Sequence, residues 1–113
     1  MELTDATRIQ HMIDAAEAAL RFASGRSRQD LDDDEMLTFA LTRAVEIIGE
    51  AASRVSSEGR RATSEVPWNA VIGMRHRLVH AYFEVDRDIL WSTVQEALPR
   101  LLAQLRQRPS GSE

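Results

Sequence analysis

Apolar residues recur along this chain with the period of a helix. Ile9, Ile13, Ala16, Leu20 and Ala23 follow one another at alternating spacings of four and three residues, which lays them along one helical face. Thr4 or Asp5 can cap the start of this helix, and Gly25 with the polar stretch after it ends it. A second seam, Leu37, Leu41, Ala44, Ile48, Ala51 and Val55, predicts a helix that begins within Asp32–Asp34 and runs to about Ser57. Gly49 falls inside it at a cost of up to about 1 kcal/mol relative to alanine, which the close approach of another helix would explain. Gly59 reads as a C-terminal stop, and residues 58–66 as a loop carrying Arg60 and Arg61. Pro67 suits the first turn of a third helix. A fourth, capped by Asp86, carries Leu90, Val94, Leu98, Leu101 and Leu105, with a kink or split expected at Pro99. The pattern predicts an all-α protein, an antiparallel four-helix bundle. Residues 1–107 are expected to form a single domain and 108–113 a disordered tail.

Composition narrows the chemistry. Of 113 residues 43% are apolar, enough for a core, but only six are aromatic, so that core is mostly Leu, Ile, Val and Ala. The absence of cysteine excludes a disulfide scaffold, a thiolate zinc site and a Cys nucleophile. The first residues, MELTDATRIQ, do not resemble a secretory signal, and no apolar stretch approaches the roughly 18 residues of a membrane span. A soluble, cytoplasmic protein without membrane association is expected. With no P-loop, dinucleotide fingerprint or HExxH present, an enzyme here must work with His, Arg and carboxylates.

The charge is −4, and all 14 basic residues are Arg. Residues 1–56 hold six Arg against eleven acids, whereas residues 57–113 hold eight against seven. The acidity centres on Asp30, Asp32, Asp33, Asp34 and Glu35, a run best read as a solvated loop and helix start. Such a chain is not a general nucleic-acid binder, so any RNA contact must be local.

The candidate chemistry lies in the third helix, where residues 67–83 read PWNAVIGMRHRLVHAYF. On an ideal helix Trp68, Ile72, Val79 and Tyr82 fall within about 60° of Arg75, which puts Arg75 on the apolar stripe. A guanidinium there must be paired, snorkel outward or face a cleft. Glu46 and Glu50 of the second helix are its candidate partners. Asn69, Gly73, His76 and His80 form a second, polar flank. Arg75 and His80 lie about 140° apart on a straight helix. They converge only if Arg75 reaches round, the helix loosens near His80, or a second subunit closes the site. Two His at i and i+4 could bind zinc, but no third ligand is near in sequence.

The segment from Arg75 through His80 to Tyr82 resembles the Arg-x4-His-x-Tyr motif of HepT-like proteins of the HEPN superfamily, the toxin half of HepT/MntA toxin–antitoxin pairs. Residues 45–56 (VEIIGEAASRVS), residues 67–86 (PWNAVIGMRHRLVHAYFEVD), Leu90-Trp91 and Leu98-Pro99 extend the likeness over nearly the whole chain. The resemblance implies a helical homodimer that cuts RNA without a metal or other cofactor, from a cleft between subunits. It implies that Arg75 and His80 are the catalytic pair, with His76 at a position that is typically polar; His76 and, from the polar flank, Asn69 are expected to support them. It also implies that Tyr82 is the tyrosine to which a cognate MntA-type nucleotidyltransferase antitoxin transfers AMP. The rival reading is a non-catalytic, nucleotide- or partner-binding regulatory subunit of a minimal nucleotidyltransferase.

Overall fold

The structure, a computed structural model, describes residues 4–81 and 84–107, with residues 79–81 as backbone. The expected tail and Tyr82 lie outside the described residues. The fold is all-α, and both seams of the first half are buried as predicted, Leu20 only in part. Helix α1 (Asp5–Ala23) starts at Thr4, whose hydroxyl accepts the N–H of Thr7, and ends before Gly25, at φ 74°. Helix α3 (Glu35–Ser53) is capped by Asp34, which accepts the N–H of Leu37. These two long helices run antiparallel. Asp5, at the start of α1, accepts hydrogen bonds from the backbone N–H and the hydroxyl of Ser56, just beyond α3. Those bonds hold the Asp5 carboxyl below its ordinary range.

Between them the acidic run is absorbed into short-range structure. Asp30–Asp33 forms the single turn α2. Arg26 bridges Asp30 and Asp34 at 3.3 and 2.8 Å, and Arg28 bridges Asp32 and Asp88 at 3.2 and 2.6 Å. The neighbouring guanidinium lowers the Asp34 carboxyl, and the N–H of Ser27 does the same for Asp30. The run is a solvated, Arg-paired cap.

After α3 the chain departs from expectation. Residues expected as loop form α4 (Ser57–Ala62), because Ser56 accepts the N–H of Gly59 and caps a new helix. Gly59 is thus inside a helix and stops nothing. Its missing side chain has a different use: a β-carbon there would collide with the Asp5 carboxylate, in the space the Asp5–Ser56 bridge occupies.

The third helix is not continuous. It forms α5 (Trp68–Ile72) and α6 (Met74–Leu78), separated at Gly73. The chain then enters a two-stranded antiparallel ladder, β1 (Val79–Ala81) with β2 (Glu84–Val85). The last helical passage comprises α7 (Arg87–Ser92), a π-helical turn at Thr93–Ala97, and α8 (Leu98–Arg106). The break expected at Pro99 takes the form of that turn. Pro99 has no N–H for the carbonyl four residues back and its ring crowds it. The N–H of Leu98 instead reaches the carbonyl of Thr93, five residues back, and the helix widens without ending. The four expected helices thus become eight α-helical segments among the described residues.

One apolar cluster joins these pieces, with Met12, Leu41, Ile48, Leu78, Leu90, Leu98 and Leu105 fully buried. Each fully buried aliphatic side chain of this size contributes about 1.5–3 kcal/mol. Among the described residues no helix is long and apolar enough to cross a membrane.

Candidate functional site

Helix α6 is a five-residue helix held at its two ends. Met74 and Leu78 are buried in the core, and the three residues between them, Arg75, His76 and Arg77, are exposed. Helix α5 is anchored separately: Val71 is buried, and Trp68 is buried with its indole N–H on the carbonyl of Thr63 at 3.1 Å. The end of α5 lies against α3 at Gly49, where a β-carbon would stand in ordinary contact, 3.5 Å from the carbonyl oxygen of Ile72. The close approach expected at Gly49 is therefore present. It brings the start of α6 to Glu46, one turn earlier on α3.

There Arg75 donates from Nε to Glu46 Oε2 at 3.0 Å. Arg75 is half exposed and Glu46 is 29% exposed. Arg75 is thus paired and reaches outward, two of the outcomes open to a guanidinium on that stripe. The pairing with Glu46 is the one of the two foreseen partners that forms. Among the described residues only Nε is used, which leaves four guanidinium N–H donors for an anion.

His80 is not on a helix. Its backbone lies in β1, where Val79 pairs with Val85 and Ala81 with Glu84. One strand advances two residues while the other advances one, so His80 is the extra residue of a β-bulge. Bulges gather beside functional sites because they re-aim a side chain. The 140° separation from Arg75 computed for a straight helix no longer applies, since the chain leaves the helix before His80. Asn69 and His76 are both exposed, on α5 and α6. They share no helical flank, and among the described residues no hydrogen bond joins their side chains. Nor, among the described residues, do three His, Asp or Glu side chains gather as a metal-ligand set.

The family model described as "Ribonuclease HepT-like" matches residues 12–108. The chain belongs to the HepT-like family of HEPN proteins. Among curated relatives, one from Thermococcus cleftensis, provisionally named ribonuclease HepT, is 38% identical over 93 residues, covering 82% of this chain and 84% of the relative. A provisionally named RNase from Caldanaerobacter subterraneus subsp. tengcongensis is 36% identical over 99 residues, 88% of each chain. Another, from Methanocaldococcus jannaschii, is 31% identical over 90 residues, 80% of this chain and 83% of the relative. No solved structure gives a significant match.

This HepT-like chain also carries features that sequence reasoning passed over. Glu46 was weighed only as a structural partner, yet it touches two cations: Arg75, and Arg43 at 3.8 Å. The hairpin had a signal too. From Val79 to Val85 apolar residues fall at every second position, with β-branched or aromatic residues at Val79, Tyr82, Phe83 and Val85.

Proposed function

We propose that this HepT-like protein is a metal-independent endoribonuclease and the toxin of a toxin–antitoxin pair. The observation that carries the reading is the exposed turn Arg75–Arg77, with Arg75 pinned by Glu46 at one atom only, placed directly before the bulge that holds His80. RNA brings its own nucleophile. His80 takes the proton of the 2′-hydroxyl, and the 2′-oxygen attacks the adjacent phosphorus. The bond to the 5′-oxygen breaks, and that oxygen leaves with a proton from water, to which His80 returns the one it took. The products are a 2′,3′-cyclic phosphate and a 5′-hydroxyl. Arg75 neutralises the charge that builds on the phosphorane through its free N–H donors. His76 and Asn69 orient the phosphate. None of these steps calls for a metal.

The protein acts as a cytoplasmic homodimer. Met36 and Phe39, 81% and 65% exposed on α3, support burial against a second copy. Tyr82 stands two residues beyond His80 in sequence. An AMP group on it, transferred by an MntA-type nucleotidyltransferase, adds bulk and negative charge where an RNA phosphate must enter.

The test incubates wild type and His80→Ala with total RNA and tRNA in EDTA and maps the product ends. The expected result is cleavage by wild type that leaves cyclic phosphates, and a loss of about 100-fold or more in the variant. Inert wild type that still binds a nucleotidyltransferase tightly would overturn the reading in favour of a regulatory subunit.

A further inference from the structure

On the face of α3 next to Glu46 lies a depression of about 180 Å³, lined from α1 by Arg8 and His11 and from α3 by Arg43, Glu50 and Arg54 over a floor of Ile47 and Ala51. Its charge is lopsided in a chain that is acidic overall. Among the described residues, Arg8 and His11 have no carboxylate partner, and Arg8 Nε is buried without a hydrogen-bond acceptor. Arg54 meets Glu50 only at 3.7 Å, with both side chains more than half exposed. Arg43 meets Glu46 at 3.8 Å, and that same carboxylate already holds Arg75. Three guanidiniums and an imidazole thus face one loosely held carboxylate and share a second. An unpaired, partly buried guanidinium is costly unless an anion completes it.

The geometry points to this depression as a second phosphate-binding subsite, which holds the sugar–phosphate backbone of single-stranded RNA next to the cleavage position. The inference rests on the ribonuclease reading above. Glu46 is the link. It stands between Arg75 and Arg43, so one carboxylate separates the proposed cleavage site from the depression. A strand whose scissile phosphate lies on Arg75 therefore carries a neighbouring phosphate toward Arg43, Arg8 and Arg54. Contacts of this type position the strand without reading its bases. This basic depression supplies the local cationic patch that an otherwise acidic chain needs to hold a polyanion.

The test uses a fluorescent single-stranded RNA whose 2′-hydroxyls are methylated, so that it cannot be cut. Its affinity for wild type and for Arg8→Gln/Arg54→Gln is measured by anisotropy across a salt series. The expected result is an affinity lower by about tenfold or more in the variant. The slope of log affinity against log salt should shrink by about 1.4, about 0.7 for each lost phosphate contact on a single strand. On cleavable substrates the loss should be greater for a long oligonucleotide than for a dinucleotide. Arg54→Glu serves as a second variant, because Arg54 is more than half exposed and its replacement leaves the core intact. Unchanged affinity and slope, with wild type still cutting RNA, would overturn the subsite and leave the ribonuclease reading standing. Wild type that neither binds nor cuts RNA would overturn both. Loss of binding to an acidic protein partner, with RNA binding intact, would reassign the depression and overturn the inference.

Discussion

The α1–α3 pair and the stretch from α5 to α8 are both helical, but they are built on different terms. In the pair, two uninterrupted helices bury continuous seams, and the charges of the connection between them are matched locally, as Arg26 and Arg28 are with the Asp30–Asp34 run. From α5 onward every helical passage is interrupted: at Gly73, at Val79 where the ladder begins, and at the π-turn before Pro99. There α6 exposes three consecutive residues, a sweep of about 200° around a helix. A short helix anchored by Met74 and Leu78 at its two ends leaves all three uncovered. The regular half supplies stability; the interrupted half supplies reactive side chains held at fixed points. Its irregularities are what present Arg75, His76 and Arg77.

The comparison predicts that stability and activity respond to different halves. Leu41→Ala, which hollows the fully buried centre of α3, should cost about 2–5 kcal/mol in urea unfolding. Cleavage per folded molecule should be preserved. Arg75→Ala should do the reverse, changing stability by less than about 1 kcal/mol, as for an exposed ion pair, while abolishing cleavage. A strongly destabilised Arg75→Ala would break the division.

How much of this was legible in the sequence follows the same division. The seams of α1 and α3, the caps at Thr4 and Asp86 and the disturbance near Pro99 could be read because each is a local signal. Periodicity, a capping oxygen or a missing N–H acts within one turn. The second half resisted because its breaks are decided by tertiary contacts. Nothing local says that Gly73 ends α5 rather than sitting within a helix. The break shows only in the backbone, since Trp68, Val71, Met74 and Leu78 are buried at spacings of three, three and four that a continuous helix would also give. The motif carrying Arg75 and His80 was visible as residue types at a spacing, but its geometry was not. Glu46 was visible as a possible partner of Arg75, but not as the carboxylate shared with Arg43.

Glu46 sharpens the comparison, since it belongs to the stable half and acts on the reactive one. Glu46→Ala frees Arg75 from its only ion-pair partner among the described residues. We expect kcat to fall by about tenfold, equivalent to about 1.4 kcal/mol of lost positioning. KM should not rise, because removing a carboxylate beside Arg43 and Arg75 leaves the surface more attractive to RNA. Glu46→Gln keeps an acceptor for the Arg75 Nε–H and should recover most of the rate. Stability should move little in both variants. A rise in KM with kcat unchanged would show that Glu46 only shapes substrate binding.

Gly49 gives the smallest effect and the finest test of how the two halves are joined. A methyl group there would stand 3.5 and 3.6 Å from the carbonyl oxygens of Ile72 and Val71, an ordinary contact that needs no movement. Gly49→Ala should therefore fit, and should stabilise α3 by up to about 1 kcal/mol through helix propensity alone. Gly49→Val adds carbons that must press on the end of α5, at a cost of about 1–3 kcal/mol for overpacking. The push is transmitted through Gly73 to α6 and opens the Arg75–Glu46 pair. Cleavage should fall for valine but not for alanine, although both remove the same glycine. If alanine already slows cleavage while stabilising the fold, the site depends on flexibility of α3 at Gly49 and not on the spacing between α3 and α5.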